Sequence, residues 1–481
     1  MKAQISREQG GVFDWPLAYE AEAVLRRFID SFLKANQFGA QLAIRMSRET
    51  GTDFYEWVDH FSVGVDAIDE LLGIGLVLEQ TEPPGDNQVY YHPRAMMPRV
   101  LVRRNGDLNG TPRELAIRPE SVIDFASRNN LDPAIEGEFG SRLRTIIVSE
   151  EREQRLWAVE RLAYRGFVPQ ANSSAFALAV MTVREWWRMR KRHFSDDASG
   201  IAQALETQAK AIALVGADVA CELFFAEERR YWEFRNLAGR LQKRRQDALG
   251  LGWGNHDHHT FRCSRRFFTE VIEFFCRFGF TKRERYYAGA EAGWGAQVLE
   301  HETTGITVFA DVDLLPEETA IDFSQHPLSE APKVGTVGLW CGLHGDSLLQ
   351  AGMHHLEARF DFELLRDQLA SQGINTMKPF SDFPFLRQAF TEGERWPVQE
   401  ERLQRMLNSG WITEDQAHVF RNHGAIGSHL ENLERKGGFK GFNQKSVSAI
   451  IAATDPRSVD SGRNSFIADP ADQKEPWQLG N

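Results

Sequence analysis

Three residues of metal-binding type in this 481-residue chain are each followed by an arginine four positions later. The pairs are His258 with Arg262, His355 with Arg359, and Glu431 with Arg435. Residues i and i+4 of a strand point to the same face, so each ligand and its arginine would lie on one side of a sheet. Two histidines and one carboxylate make a facial triad that holds Fe(II) and leaves three coordination positions open. The arginines would suit such a site to an anion, because a guanidinium binds a carboxylate through two hydrogen bonds.

Neighbouring histidines compete with the two that we prefer. His256 lies two residues before His258, His259 follows it directly, and His354 directly precedes His355. In a chain with 14 histidines some lie near carboxylates by chance, so a single candidate ligand is more often a structural residue. Strand alternation is the one argument from the residues themselves that favours His258 over its neighbours.

The elements that would position these residues follow a strand and helix pattern that occurs twice. The first copy has a strand over 256–263, a helix over 265–278 and strands near 296–299 and 307–310. The second copy has a strand over 353–360, a helix over 362–371 and a final strand over 427–436. Periodicity and the glycines that end each helix carry these assignments. The pattern predicts an α+β domain in which the three ligands come from separate strands.

Residues 429–451, HLENLERKGGFKGFNQKSVSAII, resemble the C-terminal segment of 4-hydroxyphenylpyruvate dioxygenase, a member of the vicinal oxygen chelate superfamily. The resemblance implies a fold of paired βαβββ modules that form a curled sheet around a metal. It also implies that Glu431 is a ligand, that Gly438 and Phe439 open a lid, and that residues 436–453 close over the site. Glu434 stands where that family usually has glutamine, which makes Glu434 the chief rival of Glu431.

Three further motifs resemble the 2-oxoadipate dioxygenase/decarboxylase family. They are HHTFR over 258–262, the His-Leu pair with Arg359 over 355–359, and LRQAF over 386–390. The resemblance implies that His258, His355 and Glu431 hold Fe(II) and that Arg262 binds the substrate carboxylate. It further implies that Arg387 and Gln388 orient the other end of the substrate. The activity expected on this basis is oxidative decarboxylation and hydroxylation of a small 2-oxo acid by dioxygen.

The resemblance covers about 200 residues and departs from the family at His259, Thr260 and Glu357. These departures weaken the substrate assignment more than the metal assignment, and Mn or Zn stays open as the ion. Two other function classes also stay open. One is a different metal-dependent enzyme of the same fold, namely a ring-cleaving dioxygenase, an isomerase or a lyase. The other is a non-enzymatic protein that binds a ligand.

The first 250 residues are predicted to be mostly helical and show no catalytic group. We expect a helical, winged-helix-like unit over 1–115, an α+β unit with long helices over 116–250, the catalytic domain over 251–455 and a polar tail over 456–481. The turn PPGDN predicts a hairpin between 76–78 and 88–91. The basic, aromatic cluster at 184–193 is more typical of a solvated helix face or a subunit contact than of a nucleic-acid site.

Composition favours small-molecule chemistry. Lys and Arg number 56 against 68 Asp and Glu, a net charge of −12 that disfavours a general nucleic-acid-binding role. Four scattered cysteines form no Cys-x-x-Cys pair, and no run reaches the roughly 18 apolar residues that span a bilayer. We therefore expect a cytoplasmic protein with a small 2-oxo acid and dioxygen as its partners, no nucleic acid and no membrane. Self-association as a homo-oligomer is left open by the sequence.

Overall fold

The computed structural model describes residues 15–79, 87–103, 111–289, 292–331, 333–443 and 455. The helices in these ranges are α1 (Tyr19–Ala35), α2 (Gln37–Arg45), α3 (Ile68–Gly73), α4 (Val122–Arg128), α5 (Ser174–Arg188), α6 (Asp197–Val215), α7 (Ala217–Phe234), α8 (Leu237–Ala248), α9 (Phe268–Arg277), α10 (Thr336–His344), α11 (Phe362–Ala370), α12 (Glu400–Asn408) and α13 (Glu414–His423). The first seven strands are β1 (Val58–Gly64), β2 (Val77–Leu78), β3 (Gln88–Tyr91), β4 (Arg99–Arg103), β5 (Glu114–Ile117), β6 (Leu143–Glu151) and β7 (Gln154–Arg161). The other nine are β8 (His256–Arg262), β9 (Thr281–Tyr287), β10 (Trp294–Glu300), β11 (Thr307–Asp313), β12 (His355–Arg359), β13 (Ser381–Phe383), β14 (Leu386–Phe390), β15 (Glu394–Trp396) and β16 (Ala425–Arg435).

The C-terminal strands form one mixed sheet in the order β13-β14-β16-β12-β8-β11-β10-β9, with β15 paired to β16. Strand β8 runs parallel to β11, strand β12 runs parallel to β16, and the two central strands β8 and β12 are antiparallel. Each half is therefore a βαβββ module, with α9 in the first and α11 in the second. The C-terminal domain has the vicinal oxygen chelate fold, and the predicted α+β class is confirmed.

An aromatic core fixes the position of strand β8 beneath the long helices. Phe261 on β8 stacks with Phe224 of α7 at 6.3 Å between ring centroids and meets Phe275 of α9 edge-on at 5.1 Å. All three rings are fully buried. Because Phe261 faces the helices, the residues beside it on β8 face the opposite side of the sheet. Helix α11 starts directly after β12, where the Asp361 carboxylate accepts a hydrogen bond from the backbone N–H of Leu364.

The N-terminal strands form a second sheet with the order β2-β3-β4-β1-β5-β7-β6. Strand β1 is parallel to β4, β5 is parallel to β7, and the central strands β1 and β5 are antiparallel. This is the order and direction of the C-terminal sheet, with one strand fewer at one edge. The predicted hairpin is confirmed as the antiparallel pair of β2 and β3.

In the described part of the first 250 residues, eight α-helices accompany this sheet, in keeping with the predicted helical content. Strand β5 spans Glu114–Ile117 and therefore crosses the predicted domain boundary at residue 115. The division into domains otherwise stays a prediction. The polar tail over 456–481 lies outside the described residues, as do residues 444–453 of the predicted lid. Within the described part of the chain, no helix is both long enough and apolar enough to cross a bilayer.

Candidate metal centre

A β-bulge in strand β8 sets the direction of the first histidine. His259 pairs with Leu356 of β12 and His256 pairs with Ala358, so two residues of β8 lie opposite the single residue Glu357. The two residues in the bulge are Asp257 and His258, and their side chains contact each other at 3.0 Å between Oδ1 and Nδ1. A bulge of this kind turns two successive side chains toward the same side. His258 is thereby directed at β12 with its neighbour Asp257 alongside.

Four buried side chains from three adjacent strands meet in front of this bulge. His258 of β8, His355 and Glu357 of β12, and Glu431 of β16 each place one donor atom within 4.8 Å of the others. Glu357 and Glu431 are direct register partners, which brings both carboxylates to the same level of the sheet. The His355 Nε2 atom lies 3.2 Å from Glu357 Oε1 and 3.5 Å from Glu431 Oε2, and His258 Nε2 contacts Glu357 Oε2.

Each of the three predicted ligands is held from behind by another side chain. Asp257 binds Nδ1 of His258, and His354 Nδ1 lies 2.8 Å from Nδ1 of His355. The Gln388 amide donates to Oε1 of Glu431 at 2.8 Å. These contacts leave Nε2 of both histidines and Oε2 of Glu431 as the atoms directed at the centre. Fixing the remote atom of a ligand in this way is what orients metal ligands in proteins.

Burial gives the histidines the charge state that a metal requires. It lowers the pKa of His258 to about 4 and holds the pKa of His355 well below its ordinary value. Both rings are therefore neutral near pH 7, the form that coordinates a cation. Burial also raises the pKa of Glu431 well above its ordinary value, and its buried Oε2 accepts no hydrogen bond. A divalent cation beside Oε2 would supply the positive charge that stabilises the ionised form of this carboxylate. The residues present therefore fit a metal ion.

The three arginines at i+4 have different partners. Arg435 holds Asp257, and Arg359 forms an ion pair with Glu56 of the N-terminal half at 2.8 Å. Arg262 is buried over the Trp340 ring at 5.5 Å, and its Nε and Nη1 atoms have no hydrogen-bond partner. Arg262 therefore keeps two donors for a bound molecule, whereas Arg359 keeps only Nε, which lies 3.9 Å from Asp257 Oδ2. Its register partner Asp311 lies beside it on β11, and burial raises the pKa of Asp311 to about 7.

The two residues predicted from the LRQAF motif are separated by strand alternation. Gln388 reaches the centre, where it contacts Glu431 and so acts on a ligand. Arg387 points to the other face, where it forms ion pairs with Glu363 of α11 and, at 3.3 Å, with Asp382. The expected role of Arg387 in orienting substrate is thus not supported by its position, because neighbouring residues of a strand face opposite sides.

Three of the four rival ligands, Glu434, His256 and His259, lie away from the centre because they face the other side of the sheet. Glu434 shares the face of Arg387 and forms an ion pair with Lys436 at 3.1 Å. His259 lies on the helix side of the sheet, 3.2 Å from Arg229, and its ring packs against that of His256 at 5.2 Å. His354 stays close, but its Nδ1 contacts His355.

Two residues at the centre had not been singled out as site residues. Glu357 was noted only as a departure from the family pattern, although its position two residues after His355 gave a strand-spacing signal. Phe442 packs edge-on against the His258 ring at 5.1 Å and against Phe309 at 4.4 Å. Phe442 lies in the described first part of the predicted lid, so that part of the segment does contact the predicted ligand His258.

Known proteins add little to this picture. Neither a protein-family model nor a curated protein matches the chain. Among solved structures, methylmalonyl-CoA epimerase from Mycobacterium tuberculosis is 12% identical over 38% of this chain and 88% of its own, with a TM-score of 0.22. A triple mutant of 4-hydroxymandelate synthase from Streptomyces coelicolor is 13% identical over 83% of this chain and 98% of its own, with a TM-score of 0.26. Scores of this size carry no argument, so the fold assignment rests on the order and direction of the strands.

Proposed function

We propose that this chain is a metal-dependent oxygenase that acts on a small 2-oxo acid, with Fe(II) held by His258, His355 and Glu431. One observation carries the proposal: three ligand atoms converge, and the remote atom of each ligand is held by a different side chain. An arrangement that is fixed from behind on all three ligands is expected of a metal site and not of an ordinary buried polar group. Mn or Zn remains the alternative ion.

The chain's own residues would bind and orient the substrate. Arg262 lies on the ligand face of β8, and its unpartnered guanidinium atoms would receive a carboxylate. Asp311, with its pKa near 7, would present a protonated or shared carboxyl beside it. Phe309 and Phe442 cover the His258 side and would keep water from the reacting carbon. Bound iron would supply the positions at which the oxo acid and dioxygen meet and would stabilise charge as carbon dioxide leaves.

Fe(II) loading under nitrogen, followed by exposure to oxygen, tests this function. Oxygen uptake and carbon dioxide release would be followed across a panel of aliphatic 2-oxo acids, 2-oxo diacids and aromatic pyruvates. We expect at least one member to stimulate both signals in equal amounts. Replacement of His355 or Glu431 by Ala should abolish both metal binding and turnover. A panel in which no acid stimulates oxygen uptake would reject the oxygenase.

Glu357 favours a second candidate, a metal-dependent isomerase or lyase of the same fold. If its carboxylate is a fourth ligand, an octahedral ion keeps only two open positions, and a bidentate oxo acid would then exclude dioxygen. A carboxylate at this place could also act as a general base next to a metal-bound substrate. The two candidates differ in their need for oxygen, since the isomerase or lyase would turn over under nitrogen. A ring-cleaving dioxygenase would instead consume oxygen with a catechol.

The basic cluster over 184–193 is largely occupied within the protein. Arg190 and Arg192 both form ion pairs with the buried Glu228, at 2.8 and 2.6 Å, and each donates to a backbone carbonyl just before strand β12. The cluster therefore supports the segment that leads into the metal centre.

A further inference from the structure

A buried ionic contact joins β1 and β7, which are the first and last strands of the N-terminal sheet along the chain. Asp59, at a bulge in β1, accepts hydrogen bonds from Arg161 at the end of β7, both at 2.7 Å. The other neighbour of Asp59 is His60, whose Nδ1 lies 2.6 Å from it. The His60 ring in turn packs edge-on against Phe167 at 4.9 Å.

The C-terminal sheet repeats this arrangement residue for residue. Asp257, at the bulge in β8, accepts from Arg435 at the end of β16 at 3.1 and 3.0 Å and contacts His258 at 3.0 Å. The His258 ring packs edge-on against Phe442 at 5.1 Å. Because the two sheets also share strand order and direction, they are two copies of one structural unit. His60 is the counterpart of the metal ligand His258.

The other ligand positions have changed in the N-terminal copy. Equivalent positions follow from the matched arginines Arg161 and Arg435. The residue four positions earlier on β7 matches the residue four positions earlier on β16, and the strand pairing then matches residues of β5 with those of β12. The three replacements are Trp157 for Glu431, Ala116 for Glu357, and Glu114 for His355. His60 and Glu114 are the two potential ligands that remain, and Glu114 forms an ion pair with Arg103, so the three-ligand set of a divalent metal is not kept. The N-terminal copy has thus exchanged its charged ligands for an aromatic and a small side chain.

A cavity of about 120 Å³ nevertheless remains on this face of the sheet. Its apolar wall includes Trp157, Phe167, Leu101 and Val159, and its polar wall includes His60. A closed, apolar cavity of about 150 Å³ accommodates benzene in a protein core. The space beside Trp157 is somewhat smaller and partly open to solvent, so it could hold one ring with its polar group against the polar wall.

The chemistry of the polar wall defines the group that the ring would carry. Arg103 and Arg161 line the cavity but are paired with Glu114 and Asp59, so neither cation is left to bind an anion. The Glu136 carboxylate also lines the cavity and accepts a hydrogen bond from the Thr145 hydroxyl at 3.3 Å, so it too would repel an anion. Asp59 is ionised, because the ion pair with Arg161 holds its pKa below the ordinary value despite burial. The Nδ1–H of neutral His60 donates to it, which leaves Nε2 of His60 as an acceptor. A ligand would therefore have to donate a hydrogen bond.

We propose that the cavity of the N-terminal sheet is a metal-free binding site for a neutral, single-ring molecule that carries an O–H or N–H donor, such as a phenol. The ring lies between Trp157 and Phe167, and the donor binds Nε2 of His60. The site is the counterpart, in the N-terminal sheet, of the proposed metal centre in the C-terminal sheet. It does not depend on the function proposed for that centre.

Phenol titrated into the metal-free full-length protein tests the proposal, with binding followed by ligand-detected NMR and calorimetry. We expect saturable binding at one site with a Kd of about 1 mM or below, which is a modest affinity for a ligand of this size. Fluorobenzene, which has the ring but no donor, should bind at least tenfold more weakly. Benzoate, which adds a charge, should also bind at least tenfold more weakly.

The two equivalent histidines provide matched variants. His60→Gln should weaken phenol binding at least tenfold, whereas His258→Gln should leave it unchanged. Leu101→Trp fills the cavity without touching the ionic contact and should abolish binding, provided that its thermal unfolding stays cooperative. Absence of saturable binding would overturn the proposal. Loss of binding in His258→Gln with retention in His60→Gln would also overturn it, as would equal affinity for phenol and fluorobenzene.

Discussion

Arg435 at the end of β16 donates two hydrogen bonds to Asp257 of β8, at 3.1 and 3.0 Å. Both side chains are buried, with 7% and 5% of their surface exposed, so the contact is screened little by solvent. Strand β12 lies between these two strands, and it carries His355 and Glu357. The contact therefore joins the strands on either side of β12, forming a frame around the candidate metal centre, and it fixes the carboxylate that orients His258.

Substitution Asp257→Asn should weaken metal binding without removing any ligand. The amide can no longer balance Arg435, and it binds Nδ1 of His258 less firmly, so the ring loses its orientation. We expect the affinity for Fe(II) or Co(II) to fall about 10- to 100-fold, as is usual when a ligand loses its supporting carboxylate. Anaerobic titration with Co(II), followed by its absorption spectrum, measures this. Glu434→Gln, on the opposite face of β16, is the matched control and should bind normally; equal affinity in both variants would contradict the frame.

Substitution Glu357→Gln should separate the two candidate functions. If three ligands hold the metal, the variant retains one equivalent of metal and most of its oxygen-dependent turnover. If Glu357 is a ligand or the general base of an isomerase, metal affinity or turnover should fall by about 100-fold or more. Metal content and activity, each measured with and without oxygen, give the answer. The oxygenase assignment fails if wild-type turnover proceeds under nitrogen and Glu357→Gln abolishes it.

Substitution Arg262→Met should impair binding of an anionic substrate while sparing the metal. Removal of one partner from a buried, charge-assisted contact costs about 3 kcal/mol, which corresponds to a rise in KM of about 100-fold. Metal content should stay at the wild-type level, since Arg262 contacts no ligand atom. Steady-state kinetics and metal analysis test both statements. Arg387→Met, on the opposite face of the sheet, should leave KM within about twofold, and an equal effect in the two variants would argue against Arg262.

Substitution Asp311→Asn should change how stability depends on pH. Burial raises the pKa of Asp311 from 3.8 to about 7, so the folded state disfavours the ionised carboxylate. Both states are protonated below about pH 4; as pH rises toward 7 the unfolded chain ionises first, and the folded protein loses up to about 4 kcal/mol. The amide does not ionise, so the variant should gain stability relative to wild type between pH 4 and 7 and keep the gain above it. Urea unfolding at pH 4 and pH 8 measures this, and parallel pH curves for the two proteins would refute it.

Much of the candidate metal centre could be predicted because its signals are local. His258 and Arg262 share a face through strand spacing alone. Short motifs in the right order implied the fold, which is confirmed, and implied His355 and Glu431 as ligands, which stays a prediction. The helices and the 76–91 hairpin also follow from periodicity and turn residues. Strand alternation, helix periodicity and turn chemistry depend on neighbours in sequence, which is why these predictions could be made.

Pairing between distant strands decided the rest. The sequence places an arginine four residues after each ligand, but only packing shows that Arg359 binds Glu56, that Arg435 binds Asp257, and that Arg262 keeps its donors. The bulge that aims His258, and the register that sets Glu357 beside Glu431, depend on strands far apart in the chain.

The similarity between the N-terminal and C-terminal sheets shows the same limit most clearly. The residues that the two sheets share are little more than an Asp-His pair and a Glu-Arg pair. These pairs lie roughly 100 residues apart in the N-terminal sheet and 180 apart in the C-terminal sheet. The sequence by itself determined which residues could bind a metal and which face of a strand they share. Only the tertiary structure decided which of them meet, because side chains converge through nonlocal strand pairing that short-range patterns do not encode.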